Sequence, residues 1–406
     1  MNKPELLAPA GNLEKLKTAI NFGADAVYLG GSKLNLRAFA DNFSDEDLLE
    51  GLKYAHDRGK KVYVTVNVFP HNDDLVGLEE YLKELYSMGV DALIVSDPGV
   101  ISTSMETVPG LELHLSTQAN TVNWKTAEFW YKQGVKRIVL AREMSMDEVR
   151  EIKRRVPEGC EIEAFVHGSM CMSYSGRCVI SNYMTGRDSN RGECAQPCRY
   201  KYYITEEKRP GEYFPIVEDN RGTYLLNSKD MCMIEHIPDL VESGIDSFKI
   251  EGRMKSSFYV ACIVKSYRQA IDSYFENSEK YIVQQEWIDN LLKASHRKYF
   301  TGFYYNDPDR QIFENSSYIR DYDIVGIVRG YEVSTGTAVV EQRNKVFDGD
   351  SVDVLRPEGS NFSVTIKDLR NEEGNKIEAA PVAQMIYKFS ADKELTSGDI
   401  LVKKKK

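Results

Sequence analysis

The chain contains no run of the roughly 20 apolar residues that a membrane-crossing helix requires. Its first residues, MNKPELLAPAG, lack the basic stretch and apolar core of a secretion signal. Both absences point to a cytoplasmic protein with no membrane partner. In a reducing compartment its seven cysteines are expected free or metal-bound rather than disulfide-paired. H-E-x-x-H and G-x-S-x-G are missing, which removes common signatures of zinc and serine peptidases. No G-x-G-x-x-G sits at a strand–helix turn, so a doubly wound dinucleotide sheet is the weaker reading of the fold. Paired C-x2-C zinc spacings are absent, and C-x3-C-x2-C fails because Lys201 stands where its third cysteine would be. The formal net charge of −10 disfavours a chain-wide nucleic-acid surface and leaves phosphate binding to local patches.

What is present is concentrated in one polar stretch, EAFVHGSMCMSYSGRCVISNYMTGRDSNRGECAQPCRY. It carries Cys171, Cys178, Cys194 and Cys198, with Cys232 beyond it. Cys171 and Cys178 are seven positions apart, and Cys194 and Cys198 four. Thiols spread this widely suit a cluster gripped by folded protein, so iron–sulfur, zinc and a metal-free reading all stand at this point. Cys160 precedes a strand and Cys262 lies on a helix, and both read as packing residues. Basic residues run through this stretch and just past it, Arg177, Arg187, Arg191, Arg199, Lys201, Lys208 and Arg209, and a second patch is the tail 403–406. Each is either a solvated surface or a phosphate contact.

Up to about residue 275 one unit recurs: an amphipathic helix, a glycine, then a short β-rich run. It reads GADAVYLGG, GVDALIVSD, GVKRIVLAR and GIDSFKIEG. ELLAPAG, KKVYVTVN, LELHLSTQ and EIEAFVHG supply the intervening strands, eight in all. Eight βα units predict a (β/α)8 TIM-like barrel over 1–275. The cysteine-bearing insertion, about 169–232, is expected to leave the C-terminal end of the seventh strand, on the face where barrel active sites lie. Residues 276–317 are expected to form a helical connector. From 318 to 406, short alternating β-branched runs such as DYDIVGIVRGYE and GTAVVEQ predict a small antiparallel β-barrel.

Polar residues fall at or near the C-terminal ends of these strands: Asn67, Asp97, Gln118, Arg142, Glu163, His167, Lys249, Glu251 and Arg253. Charges in a buried parallel strand are costly unless paired. Glu163, Lys249 and Glu251 therefore read either as an internal ion-pair network or as catalytic groups. His167 is either an acid–base group or a buried imidazole. Arg142 and Arg253, with Gln118 and Asn67, are candidate substrate contacts for a small anion. Arg187, Arg191 and Arg199 are candidate nucleic-acid contacts.

With these residues in hand, ELLAPAG, GADAVYLGG, EAFVHGSMCMSYSGRCVISNY, RGECAQPCR, LLNSKDMC and KIEGRMKS resemble the collagenase-like peptidase family of unassigned catalytic type, in particular its branch of tRNA hydroxylation proteins. The resemblance covers nearly the whole chain. It implies a 4Fe–4S cluster, with ligands falling on Cys171, Cys178, Cys194 and Cys232 and with Cys198 in reserve. It implies oxygen-independent formation of 5-hydroxyuridine at the wobble position of tRNA, with prephenate as the small anionic co-substrate. The anticodon loop would be the macromolecular partner, and a paralogous subunit or a homodimer is a further expectation. Sister members hydroxylate a ribosomal RNA cytidine, and others carry peptidase or collagenase names. A protease is therefore the rival reading, and an assembly partner with a structural cluster the plainest one.

Overall fold

The computed structural model describes residues 2–35, 42–171, 175–199, 229–305 and 318–405, together with 203–204, 211 and 214–215. Eight parallel strands close on themselves: β1 (Glu5–Pro9), β2 (Ala26–Gly30), β3 (Lys61–Val66), β4 (Ala92–Val95), β5 (Glu112–Leu115), β6 (Arg137–Val139), β7 (Glu161–Ser169) and β8 (Ser247–Ile250). β8 pairs with β1 through Glu5 opposite Ser247, and with β7 through Ser247 opposite Glu163, which completes the ring. All eight coincide with the strands expected from the sequence.

Local chemistry explains the helices between them. Ser44 caps Asp45–His56 by accepting from the N–H of Asp47, with Asp45, Glu46 and Asp47 in the first turn, where carboxylates favour the helix dipole. Ser145 and Glu148 form a capping box at the start of Met146–Arg155. Gly89 ends Leu78–Met88 at φ 87°, a left-handed conformation open to glycine without strain. The glycine of each recurring unit has the same role.

The barrel lumen holds Leu7, Ala26, Tyr28, Tyr63, Ala92 and Ile94, and the larger apolar core lies between the strands and the surrounding helices. β7 is longer than the rest. Past the barrel wall it pairs antiparallel with Asp230–Cys232, which in turn pairs with Tyr299–Phe300. Two extra strands therefore extend the sheet outside the barrel, a feature the sequence reading did not contain. The expected connector continues as helix Gln285–Lys293, preceded by the long helix Ser257–Glu276 against the barrel. Residues 306–317 of that connector lie outside the described residues.

The C-terminal strands form a seven-stranded antiparallel sheet with its own apolar core. The sheet's two end strands, Phe362–Thr365 and Lys367–Asn371, are not hydrogen-bonded to each other, so the antiparallel β domain expected from the sequence is present as a half-barrel. Leu355, Ile400 and Val402 join the core of the larger domain. Lys265 is 2% exposed and donates across the seam to the carbonyls of Arg356 and Gly359 and to Asn361 Oδ1, at 2.8–2.9 Å. Among the described residues no helix is long and apolar enough to cross a membrane.

Candidate functional site

A cavity of about 180 Å3 opens at the C-terminal end of the barrel, where the insertion folds back over the strands. Tyr28, Phe165 and Lys249 line it from the strands, and Asn67, Gln118, Arg142, Glu251 and Arg253 from the loops after them. The insertion contributes Cys171, Cys178, Cys194 and Cys198. The structure thus brings four of the five candidate cysteines to one cavity, together with the four expected substrate contacts.

Specific contacts hold the insertion in place. Glu143 accepts from the N–H of Ser175 at 2.8 Å. Ser189 Oγ and Asn190 Nδ2 both donate to the carbonyl of Cys178, at 2.7 and 2.9 Å, and Phe69 N–H donates to the carbonyl of Asn190. Arg191 pairs with Asp74 at 2.9 Å and keeps 35% of its side chain exposed. Arg187 is exposed and donates through Nε to the carbonyl of Glu193. Lys201, Lys208, Arg209 and the side chain of Arg199 lie outside the described residues. Ser175, Ser189, Asn190 and Gln196 also line the cavity and were missed in the sequence. Their one signal was polar residues packed between cysteines.

Cys232 lies elsewhere. It stands opposite His167 in the antiparallel extension of β7, and cross-strand partners share a face. A β-bulge between Lys249 and Ile250 shifts the register next to His167. The His167 ring packs outside the lumen against Tyr259, Tyr267 and Tyr299 at centroid distances of 6.1, 5.5 and 5.3 Å. His167 is 1% exposed, and burial, assisted by the charges of Lys255 and His296, lowers its pKa to about 3. It is a neutral, ring-packed imidazole that reaches no part of the cavity. Burial likewise pushes the Cys232 thiol up to about 12.

Glu163 is fully buried beneath the cavity. Its Oε1 lies 2.5 Å from Lys249 Nζ and its Oε2 3.3 Å from Arg137, which also pairs with Glu5 and Glu161. The internal ion-pair reading therefore fits Glu163, while Lys249 is shared between that network and the cavity floor. Glu251 Oε2 accepts from the N–H of Ser169 at 3.2 Å. Asp97 caps the helix Pro98–Thr107 and does not line the cavity.

Four groups give the cavity its recognition chemistry. Arg142 donates to the carbonyl of Ser169 at 2.7 Å and stacks over Phe165 at 3.9 Å, and its Nε has no partner among the described residues. Arg253 is 6% exposed and donates to Thr65 Oγ1 and Asn35 Oδ1 at 3.1 and 3.0 Å. Asn67 Nδ2 donates to Ser116 Oγ at 3.0 Å, while its Oδ1 has no partner among the described residues. Gln118 completes the rim. Two guanidinium groups beside amide donors and acceptors suit a planar, oxygen-rich or carboxylated ligand.

The cysteine set has the chemistry of a soft-metal site: four thiols on one cavity, with the backbone N–H of Gln196 pointing at Cys194 Sγ from 3.4 Å. Such donors to sulfur tune iron–sulfur centres. Among the described residues no three Cys, His, Asp or Glu side chains stand close enough to hold one metal ion.

Residues 11–314 match Peptidase family U32, and residues 320–401 match the Peptidase family U32 C-terminal domain. The chain belongs to peptidase family U32. It is 45% identical over 405 residues to tRNA hydroxylation protein P1 of Bacillus subtilis, covering 99% of this chain and 95% of that protein. It is 39% identical over 423 residues to tRNA hydroxylation protein P of Escherichia coli, covering 94% and 92%. It is also 39% identical over 272 residues to the 23S rRNA 5-hydroxycytidine C2501 synthase of Escherichia coli, covering 67% of this chain and 40% of that protein.

Proposed function

We propose that this U32 chain is a tRNA-modifying hydroxylase that forms 5-hydroxyuridine at the wobble position without molecular oxygen, with prephenate as its small anionic co-substrate. A cytoplasmic location belongs to the same proposal. The observation that carries it is the cavity at the barrel mouth, where four cysteines meet two arginines and two amides. The near end-to-end relation to proteins named for tRNA hydroxylation points the same way.

Cys171, Cys178 and Cys194 are the common members of the proposed 4Fe–4S ligand set. Cys198 lines the same cavity and is the better-placed fourth, whereas Cys232, favoured by the family resemblance, is on the outer face of β7. When bound, such a cluster supplies one-electron chemistry or, with an open iron, a Lewis acid. Arg142 and Arg253 bind the donor's carboxylates. Asn67 Oδ1 accepts from the N3–H of a uracil turned out of the anticodon loop, and Gln118 bonds its carbonyl edge. The cavity is too small for a length of RNA, so only the target base enters. Lys249, held by Glu163, keeps a positive charge under the ligand.

The peptidase reading needs a nucleophile beside a base, and the pairing it would use, Cys171 with His167, is broken by the orientation of His167.

The test is nucleoside mass spectrometry of bulk tRNA from cells with and without the chain, alongside a Cys171→Ala rescue. Loss of 5-hydroxyuridine derivatives that the mutant fails to restore supports the reading. Unchanged tRNA with loss of a ribosomal 5-hydroxycytidine assigns the sister reaction. No change in either RNA overturns both.

A further inference from the structure

A second concavity of about 380 Å3 lies at the seam between the barrel and the C-terminal sheet. It adjoins the inner cavity: Gln196 and Glu251 line both. From there it runs past Lys255 and the start of the helix Ser257–Glu276 to Tyr318, Arg320 and Asn344.

Its charge sets it apart from the rest of the seam. Elsewhere the cations that cross between the domains are satisfied: Lys293 by Asp353 at 2.9 Å, Arg343 by Glu14 at 2.6 Å, and the buried Lys265 by three oxygens. In the groove, Lys255 Nζ bonds only the carbonyl of Ser295 at 3.4 Å, and Arg320 Nε only Ser295 Oγ at 3.2 Å. Among the described residues no carboxylate is within ion-pair distance of either. Both face the ring of Tyr318, with Lys255 Nζ 4.0 Å and the Arg320 guanidinium 5.9 Å from its centroid, and Arg297 adds a third cation at 4.6 Å. Of the groove's two carboxylates, Asp323 is paired with Lys405 at 3.2 Å, and Glu251 accepts from Ser169 at the cavity end. Arg320 is exposed and Lys255 half-buried, so both are accessible to a ligand. In a chain of net charge −10, Lys255 and Arg320, accessible and without a carboxylate partner among the described residues, lead into the site and call for a polyanion.

We propose that this groove is the track for the single-stranded RNA backbone next to the target base, with Lys255 and Arg320 each holding a phosphate while the base enters the inner cavity. The inference rests on the tRNA reading and deepens it. Backbone contacts of this kind position a substrate without reading its sequence. They place the RNA across both domains, which gives the C-terminal sheet a direct part in substrate binding. They also explain how a cavity with room for one base can act on a macromolecule.

The test is the salt dependence of tRNA affinity for the purified chain and for a Lys255→Gln/Arg320→Gln double variant. Each single-strand phosphate contact contributes about 0.7 to the slope of log K against log salt, so the double variant should lose about 1.4. Its affinity near physiological salt should fall about tenfold. A Lys255→Arg/Arg320→Lys variant should restore the slope, and thermal melting should show both variants folded. If the unaltered chain binds tRNA and the double variant keeps its slope and affinity, the groove proposal is overturned and the tRNA reading survives. If the unaltered chain binds no tRNA at any salt concentration, both fall together.

Discussion

Lys249 Nζ lies 2.5 Å from Glu163 Oε1 inside the barrel, one partner on β8 and the other on β7, with neither side chain more than 6% exposed. Burial alone would raise the Glu163 carboxyl, but Lys249 and Arg137 outweigh it and hold the group below its usual range. A buried pair of this kind is costly to break, because the remaining charge has no water to turn to. Glu163→Gln should therefore destabilise the protein by roughly 3–5 kcal/mol at neutral pH. A depressed carboxyl contributes stability above its unfolded pKa, near 4.3, and that stability is lost as the pH falls through the folded value. Melting curves of the two proteins should be far apart at pH 7 and converge in acid. A gap that stays constant down to pH 3 would remove the ion pair from the account.

The proposed ligand set makes a five-way comparison decisive. Cys171→Ser, Cys178→Ser, Cys194→Ser and Cys198→Ser should each lose most of the bound iron and the visible absorbance of anaerobically purified protein. Cys232→Ser should keep both, since its thiol shares a face with His167 outside the barrel wall. Cysteine content and iron are measured on the same sample. If Cys232→Ser loses iron and Cys198→Ser retains it, the ligand set implied by family resemblance is restored. The strand Asp230–Cys232 would then have to slip by one residue to turn the thiol inward.

The eight strands were legible because each βα unit announces itself through a helix, a glycine and an apolar run buried on both faces. The inward-pointing residues were legible only where the two-residue period held. Glu163 and Phe165 obey it, and extending it to His167 places that ring in the lumen. The bulge that leaves Val166 of β7 unpaired, between Phe165 opposite Lys249 and His167 opposite Ile250, breaks that period. The pairing of Arg191 with Asp74, 117 residues away in sequence, likewise has no local signal. The seam groove was invisible for the same reason. Lys255 and Arg320 are ordinary surface cations until the fold brings both to Tyr318.

Arg142 offers a direct test of the anion site, because its guanidinium is stacked on Phe165 and still has a donor to spare. A charge-assisted hydrogen bond is worth about 1.5–3 kcal/mol, or roughly 10–150-fold in affinity. Arg142→Gln should raise the KM for the carboxylated donor by that factor while tRNA affinity stays unchanged. Arg253→Gln should act in the same direction with an added loss of stability, since it leaves Thr65 and Asn35 without a buried donor. An Arg142→Gln enzyme with unaltered donor KM would remove that residue from substrate binding.

Gly176 shows how tightly the insertion is docked. It has φ 70°, and a Cβ built there would lie 2.1 Å from the carbonyl oxygen of Gln118, a backbone atom that cannot swing aside. Gly176→Ala must therefore both adopt a strained left-handed conformation and push the insertion off the loop after β5. The backbone strain alone costs about 1–3 kcal/mol. Since the clash falls between Cys171 and Cys178, it also separates thiols that face the cavity. The expected outcome is a fold with intact far-ultraviolet dichroism and a lower melting temperature, which loads less iron than the unaltered chain and hydroxylates tRNA poorly. Anaerobic reconstitution followed by iron counting checks this. Full iron loading in Gly176→Ala would mean that the cluster does not depend on the insertion's seat against Gln118, and would count against a ligand set drawn from both sides of that contact.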